Sequence, residues 1–137
     1  MSVTSDSYQD IIEHLPRLEK AWKSISSEPF NPDLNSIKFL IEHGVAFFKS
    51  SEVGFYGFVM GTHLFTSVSR ADVVTIYIYP KYRNTIKAYR LLRQLFRHAK
   101  SVGAKEIYFS VPYDRQEELF SWTDHYESID LVLRRNL

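Results

Sequence analysis

The sequence predicts an α/β domain of mixed, α+β layout: a mainly antiparallel sheet flanked by helices, with one parallel strand–helix–strand crossover over residues 72–111. Three observations lead there. Ala88, Leu92, Leu95, Ala99 and Val102 recur by four and three, which marks residues 85–102 as a helix with one apolar face. Runs rich in β-branched and aromatic residues stand directly before and after it, Asp72 to Tyr79 and Glu106 to Val111. Two strands joined by a helix lie parallel, because the crossover returns the chain to the same end of the sheet, whereas the upstream strands are separated by turns too short for a crossover and pair antiparallel.

Taken in order, Tyr8, Ile11, Ile12, Leu15, Leu18, Trp22 and Ile25 keep helical spacing over residues 7–25. Pro16 lies inside that pattern and is expected to kink or split it, since it lacks an N–H and its ring collides with the preceding turn. Ser27 to Pro32, with two prolines, is a connector. Asp33 can cap a second helix with Leu34, Ile37, Leu40 and Ile41 on its buried face, and Gly44 supplies the stop. Val45 to Lys49 and Phe55 to Phe65 read as strands around a turn at Ser50 to Gly54. Gly57 and Gly61 mark a bulge or a close backbone approach in the second of them. Thr66 to Ala71 is a polar connector. Gly103 ends the long helix, and Pro112 breaks the chain after the strand at 106–111. A short helix over 115–122 and a last strand over 129–135 complete the order.

The length, 137 residues, suits one domain, expected to span 1–137. Hydrophobic residues at 45% and aromatics at 15% are enough for a packed core and argue against disorder. With no Cys, disulfides, thiolate nucleophiles and zinc–thiolate sites are excluded, and an intracellular, cytoplasmic location is the expectation. No apolar run approaches the roughly 18 residues that span a bilayer. The polar start, Met1 to Asp10, does not read as a secretory leader. The five histidines (His14, His43, His63, His98, His125) lack metal-ligand spacing and read as surface or turn residues, so no metal is expected. Phe55, Tyr56, Phe58, Tyr77 and Tyr79 could stack on nucleic-acid bases, but alternating strand aromatics read first as core.

Net charge is only +1, yet its distribution is uneven. Lys81 to Lys105 holds eight Lys or Arg and no acid, which leaves nine basic and sixteen acidic residues elsewhere, or −7. Focused charge of this kind concentrates a phosphorylated ligand or attracts nucleic acid; the plain alternative is a solvated helix face. The basic loop Pro80 to Asn84 also opens a helix whose first N–H groups have no internal partner, an arrangement suited to an anion.

Pro80, Tyr82, Arg83, Ala88, Leu91 and Leu92 stand without a gap at positions that match a known motif. The segment from Pro80 to Leu92 resembles the acyl-CoA-binding motif of the GNAT N-acetyltransferase superfamily, in which a strand leads through Arg/Gln-x-x-Gly-x-Gly/Ala into a helix. The resemblance implies a GNAT-like fold and acetyl-CoA as co-substrate. It also implies sites. Backbone groups of Ile76, Tyr77 and Ile78 would pair with the pantetheine arm, and Arg83, Asn84, Thr85, Ile86, Lys87 and Ala88 would cradle the pyrophosphate. Lys81, Lys87 or Arg90 would meet the ribose phosphate, and the strand gap near Ser110 would take the arm's amides. Two motif glycines are replaced. Asn84 tolerates left-handed backbone; Ile86 could crowd the site or point away from it.

Acetyl transfer to an amine needs a base and an acid. Asp72 lies where some members of that superfamily carry an acidic base; its other reading is a polar residue closing the connector. The superfamily's usual acid is a Tyr in the helix after the second parallel strand, and residues 115–122 hold none. Ser121 stands near the expected place, with Tyr113 and Tyr126 on either side. The implied activity is transfer of acetyl from acetyl-CoA to an amine of a small molecule or a protein. The alternative is a non-catalytic GNAT-fold protein that binds a protein or nucleic-acid partner; nucleic acid is the less favoured partner. Pairing of sheet edges into a homodimer is left open.

Overall fold

The structure, a computed structural model, describes residues 4–109 and 135–136. Its elements are helices α1 (Tyr8–Ile25) and α2 (Leu34–Glu42), strands β1 (Ala46–Ser50), β2 (Gly54–Thr62) and β3 (Ser69–Ile78), helix α3 (Ile86–Ser101) and strand β4 (Glu106–Phe109). The expected helix over 115–122 and nearly all of the expected strand over 129–135 lie outside the described residues. The sheet has the order β1-β2-β3-β4. β1 and β2, and β2 and β3, pair antiparallel, and β3 and β4 pair parallel across α3, as the crossover argument requires. Among the described residues no helix is long and apolar enough to cross a membrane, and no cluster of His, Cys, Asp or Glu could hold a metal ion.

The helices begin and end where side chains satisfy their free backbone groups. Ser7 and Asp10 form a reciprocal capping box on α1, with the Ser7 Oγ accepting from the Asp10 N–H and the Asp10 carboxylate accepting from the Ser7 N–H. Contrary to expectation, α1 runs through Pro16 without dividing. Pro16 is exposed, so the carbonyl deprived of its donor can be met by water. Asp33 caps α2 by accepting from the Ser36 N–H at 3.0 Å. The apolar face expected on α2 is only half-buried, and no α2 residue is fully enclosed. Gly44 and Gly103 follow α2 and α3 with φ of +68° and +103°, the left-handed backbone that stops a helix.

The sheet is covered on both faces. Tyr56, Phe58, Ala71 and Ile78 pack with Ala88, Leu91, Leu92, Leu95 and Ala99 of α3, forming the main core. On the other face Phe55 and Tyr77 enclose Ala21 of α1. β2 ends at Thr62 rather than Phe65, because residues 63–68 close a hairpin. The His63 N–H donates to the Val68 carbonyl, the Ser67 N–H donates to the His63 carbonyl, and Ser67 takes a φ of +56°. β3 correspondingly begins at Ser69, inside what reads as a polar connector.

The β2–β3 ladder shifts register beside Gly57: Gly57 faces Thr75 and Phe58 faces Val73, so Val74 is an extra residue on β3. This bulge changes the parity of the strand. Ala71 and Val73 point to the α3 core before it, Ile76 and Ile78 after it. Gly57 itself allows a close approach, since a Cβ there would lie 2.5 Å from the Phe48 ring.

His98 overturns the surface reading of the histidines. It is fully buried on α3, with Nδ1 at 2.7 Å from the Tyr56 hydroxyl and Nε2 at 2.7 Å from the Ser5 hydroxyl. The segment before α1 is held against β1 by the Asp6 N–H donating to the Phe48 carbonyl, and by the Ser50 N–H donating to the Asp6 carboxylate.

Candidate functional site

The described residues of β4 pair with β3 from Arg70↔Glu106 to Val73↔Phe109, and the β4-side edge of β3 continues past them from Val74 to Ile78. Which groups line it follows from the peptide planes. The Tyr79 N–H donates toward β2, to the Val53 carbonyl at 2.9 Å. The Ile78 carbonyl, on the opposite side of that same trans peptide, therefore points away from β2 to the other edge of β3, where the Arg83 Nε donates to it at 3.0 Å. By strand alternation the N–H and C=O of Ile76 share this edge, while those of Tyr77 face β2 opposite Phe55.

The chain leaves β3 through a single 3-10 turn, Pro80–Tyr82, closed by the Tyr82 N–H to the Tyr79 carbonyl and the Arg83 N–H to the Pro80 carbonyl. Asn84 then adopts a φ of +61°. An Asn tolerates this left-handed backbone at low cost. It turns the chain into Thr85, the cap of α3. The Thr85 Oγ1 accepts from the Ala88 N–H at 3.3 Å and donates to the Tyr82 carbonyl. Among the described residues the N–H groups of Asn84, Thr85, Ile86 and Lys87 have no partner. Four donors at the positive end of a 16-residue helix are suited to an anion.

Around these donors the charge is positive. Lys81 and Lys87 lie over the Tyr82 ring, at 4.9 and 5.5 Å from its centroid. Lys87 also meets Glu52 at 3.4 Å, an exposed pair of little strength. Arg83 lies over the Tyr77 ring and holds the Ile78 carbonyl, so it braces the strand end rather than lining the row of N–H groups. Ile86 is the first residue of α3 and 66% exposed, so it is not part of the core. Ala88 is fully buried and joins the loop to the core.

Asp72 lies within β3, between Val59 of β2 and Tyr108 of β4. Its neighbour Ala71 faces the α3 core, so the Asp72 side chain is on the other face of the sheet. Its carboxylate accepts from the Arg70 Nε at 3.2 Å, and that guanidinium also covers the Tyr108 ring. The Tyr108 hydroxyl donates to Glu106, whose carboxylate pushes the phenol pKa up. Ser110, Tyr113, Ser121 and Tyr126 lie outside the described residues. The structure thus gathers Ile76, Ile78 and the loop from Arg83 to Ala88 at one end of the sheet, with Asp72 further back along β3.

Sequence reasoning marked Gly57 for a bulge or a close approach, and both occur there, but it missed that the extra residue is Val74 on β3, and it missed the His98–Tyr56–Ser5 network. His98 had a local signal: Leu91, Leu95, His98 and Val102 follow each other by four, three and four on the apolar side of α3.

No family model matches the sequence, and no curated protein matches it. Solved structures do match. A GNAT family acetyltransferase from Staphylococcus aureus aligns over 100% of this chain and 100% of its own, with a TM-score of 0.70 and 18% identity. A ribosomal-protein-alanine N-acetyltransferase from Brucella melitensis biovar Abortus aligns over 99% and 100%, with a TM-score of 0.70 and 17% identity. An aminoglycoside acetyltransferase from an uncultured soil metagenomic sample, in complex with sisomicin, aligns over 98% and 94%, with a TM-score of 0.74 and 12% identity. Together with the mixed sheet, the parallel crossover and the strand–loop–helix geometry, these matches give the chain the fold of the GNAT acetyltransferases.

Proposed function

We propose that the protein is an acetyl-CoA-dependent N-acetyltransferase acting on an amine of a small molecule or a protein. One observation carries this reading: β3 leads directly through a short turn into a helix N-terminus whose N–H groups from Asn84 to Lys87 have no partner among the described residues. An open strand edge takes an extended amide-bearing arm as an added strand would. A helix N-terminus takes an anion at the arm's end. Acetyl-CoA has both features, with the reactive thioester at the far end of the arm. Ile76 would supply the backbone pairing, and Asn84 to Lys87 the donors for the pyrophosphate. Ile86 is compatible with this because its exposed side chain has room to turn aside.

The reaction that fits is attack of a neutral amine on the thioester carbonyl. A C–N bond forms and the C–S bond breaks; the amine loses its proton to a base, and the thiolate leaving group gains one. Holding amine and thioester in line contributes much of the rate in such a reaction. Asp72, braced by Arg70, is the described candidate for the base, and Ser121 or Tyr126 for the acid.

Calorimetric titration tests the reading. Acetyl-CoA and free CoA are expected to bind at one site with micromolar affinity, and heat flow no different from buffer at millimolar cofactor would sink it. The loop gives a sharper form of the test. Asn84→Gly should retain binding, since glycine is at ease at a φ of +61°. Asn84→Val should weaken binding about tenfold, because a left-handed β-branched residue costs about 1–2 kcal/mol.

A further inference from the structure

The solvent face of α3 carries Arg90, Arg93, Arg97 and Lys100, all exposed. With 3.6 residues per turn these four fall within about 80° of arc, and at 1.5 Å per residue they span roughly 15 Å along the axis. The other side of the helix, Ala88, Leu91, Leu92, Leu95 and Ala99, is buried against the sheet, so the stripe faces outward. Each neighbouring pair along it stands three or four residues apart, the spacing at which like charges repel. A helix face adapted only to water interleaves acids at these positions. Here no Asp or Glu occurs from Lys81 to Lys105. The ion pairs of the described residues involve Lys23, Lys49, Arg70 and Lys87 and none of these four. Among the described residues the stripe is a straight line of cations without an acidic partner.

We propose that this stripe binds the phosphates of a single-stranded nucleic acid. A line of cations calls for a line of anions, and arginine's planar fork matches phosphate oxygens. An acidic protein surface fits less well, because protein interfaces centre on buried apolar or aromatic groups. The large apolar residues that α3 leaves exposed are Ile86 and Tyr89. An anionic membrane fits less well again, since a surface-bound helix must free the apolar face that α3 gives to the core. A single strand can lay its backbone along the stripe and leave its bases free to stack. Tyr89, half exposed with the Arg93 guanidinium 5.9 Å from its ring, offers a surface on which a base can stack. The proposal does not rest on acetyl transfer.

The test is fluorescence anisotropy with a labelled single-stranded RNA of mixed sequence, from about 50 to 200 mM salt. Four phosphate contacts give a slope of log affinity against log salt of about −3. The triple variant R93Q/R97Q/K100Q leaves Arg90 in place and changes only exposed side chains, and its thermal melting confirms that it folds. Its slope should flatten to about −1, and its affinity near 0.1 M salt should fall about a hundredfold. The assignment is overturned by absence of binding at the lowest salt, by unchanged affinity in the triple variant, by tighter binding of the duplex form, or by equally effective competition from polyglutamate.

Discussion

Gly54→Ala is expected to destabilise the protein by about 3 kcal/mol or more, the upper range for overpacking a well-ordered site. Gly54 opens β2 opposite Ile78. A Cβ added there would stand 2.0 Å from the Tyr77 carbonyl oxygen and 3.0 Å from the Ile78 Cα. Both atoms are backbone, so no side-chain rotation relieves the clash, and the two strands must move apart. That movement would strain the Ser51 N–H to Gly54 carbonyl bond at 2.8 Å and the Tyr79 N–H to Val53 carbonyl bond at 2.9 Å. It would also disturb the stacked Phe55 and Tyr77 rings. Two other glycines of the same strand calibrate the effect. At Gly57 the obstacle is the Phe48 ring, which can rotate, so alanine should cost less, about 1–2 kcal/mol. At Gly61 a Cβ meets only the Asp72 carboxylate at 4.0 Å. Alanine there should be neutral or stabilising by up to about 1 kcal/mol, because glycine loses more freedom on folding. Urea unfolding of the three variants gives the order directly; equal midpoints for Gly54→Ala and Gly61→Ala would contradict the β2–β3 register. Since Tyr77 and Ile78 lead into the anion-binding loop, Gly54→Ala should also weaken acetyl-CoA binding at temperatures where the protein is still folded.

The parts of this fold that were legible in the sequence are those with local causes. Pro80 after a β-branched run and the four-three repeat of α3 each act within a few residues, so the crossover could be read without coordinates. Asn84 was legible for the same reason, as one of the few non-glycine residues at ease in left-handed backbone. The extra residue of the bulge was not. β3 is covered by α3 on one face and approached by α1 on the other, so apolar side chains occur at both parities and alternation carries no register. An extra residue such as Val74 leaves no mark in such a run. The end of β2 was hidden by Leu64 and Phe65, which read as strand but lie exposed at a hairpin tip set by Ser67. The His98 network was out of reach because Ser5 and Tyr56 are far from His98 in sequence, and only the tertiary fold brings them together.

That network makes stability depend on pH. Burial, with a smaller contribution from Lys49, holds the His98 pKa below its usual value of 6.5, and the Asp6 carboxylate opposes this in part. Burial also pushes the Tyr56 phenol up, so it stays neutral throughout. In the unfolded chain the imidazole takes up its proton near pH 6.5; in the folded protein it does so only at lower pH. Between those two values the unfolded state binds more protons, and stability therefore rises with pH. The contribution is complete above the unfolded pKa and is lost as pH falls toward the folded one, with a limiting slope of about 1.4 kcal/mol per pH unit for one proton. His98→Leu should remove that slope from urea midpoints measured between about pH 5 and 8. At about pH 8, where the His98 contribution is complete, it should also lower stability by about 1–3 kcal/mol, because the buried Tyr56 hydroxyl loses its partner. Adding Tyr56→Phe to His98→Leu should recover part of the loss, since no orphaned hydroxyl then remains. An unchanged slope in His98→Leu would assign the pH dependence to other groups. The chemistry also predicts where the protonated protein loosens first. Neutral His98 serves one hydroxyl as donor and the other as acceptor, whereas the imidazolium donates at both nitrogens and leaves one hydroxyl proton without its acceptor. Ser5 lies in the segment before α1, outside the sheet, while Tyr56 is fixed in β2. Hydrogen exchange at the Asp6 N–H, which donates to the Phe48 carbonyl, should therefore gain an opening step on acidification before the N–H groups of β2 do.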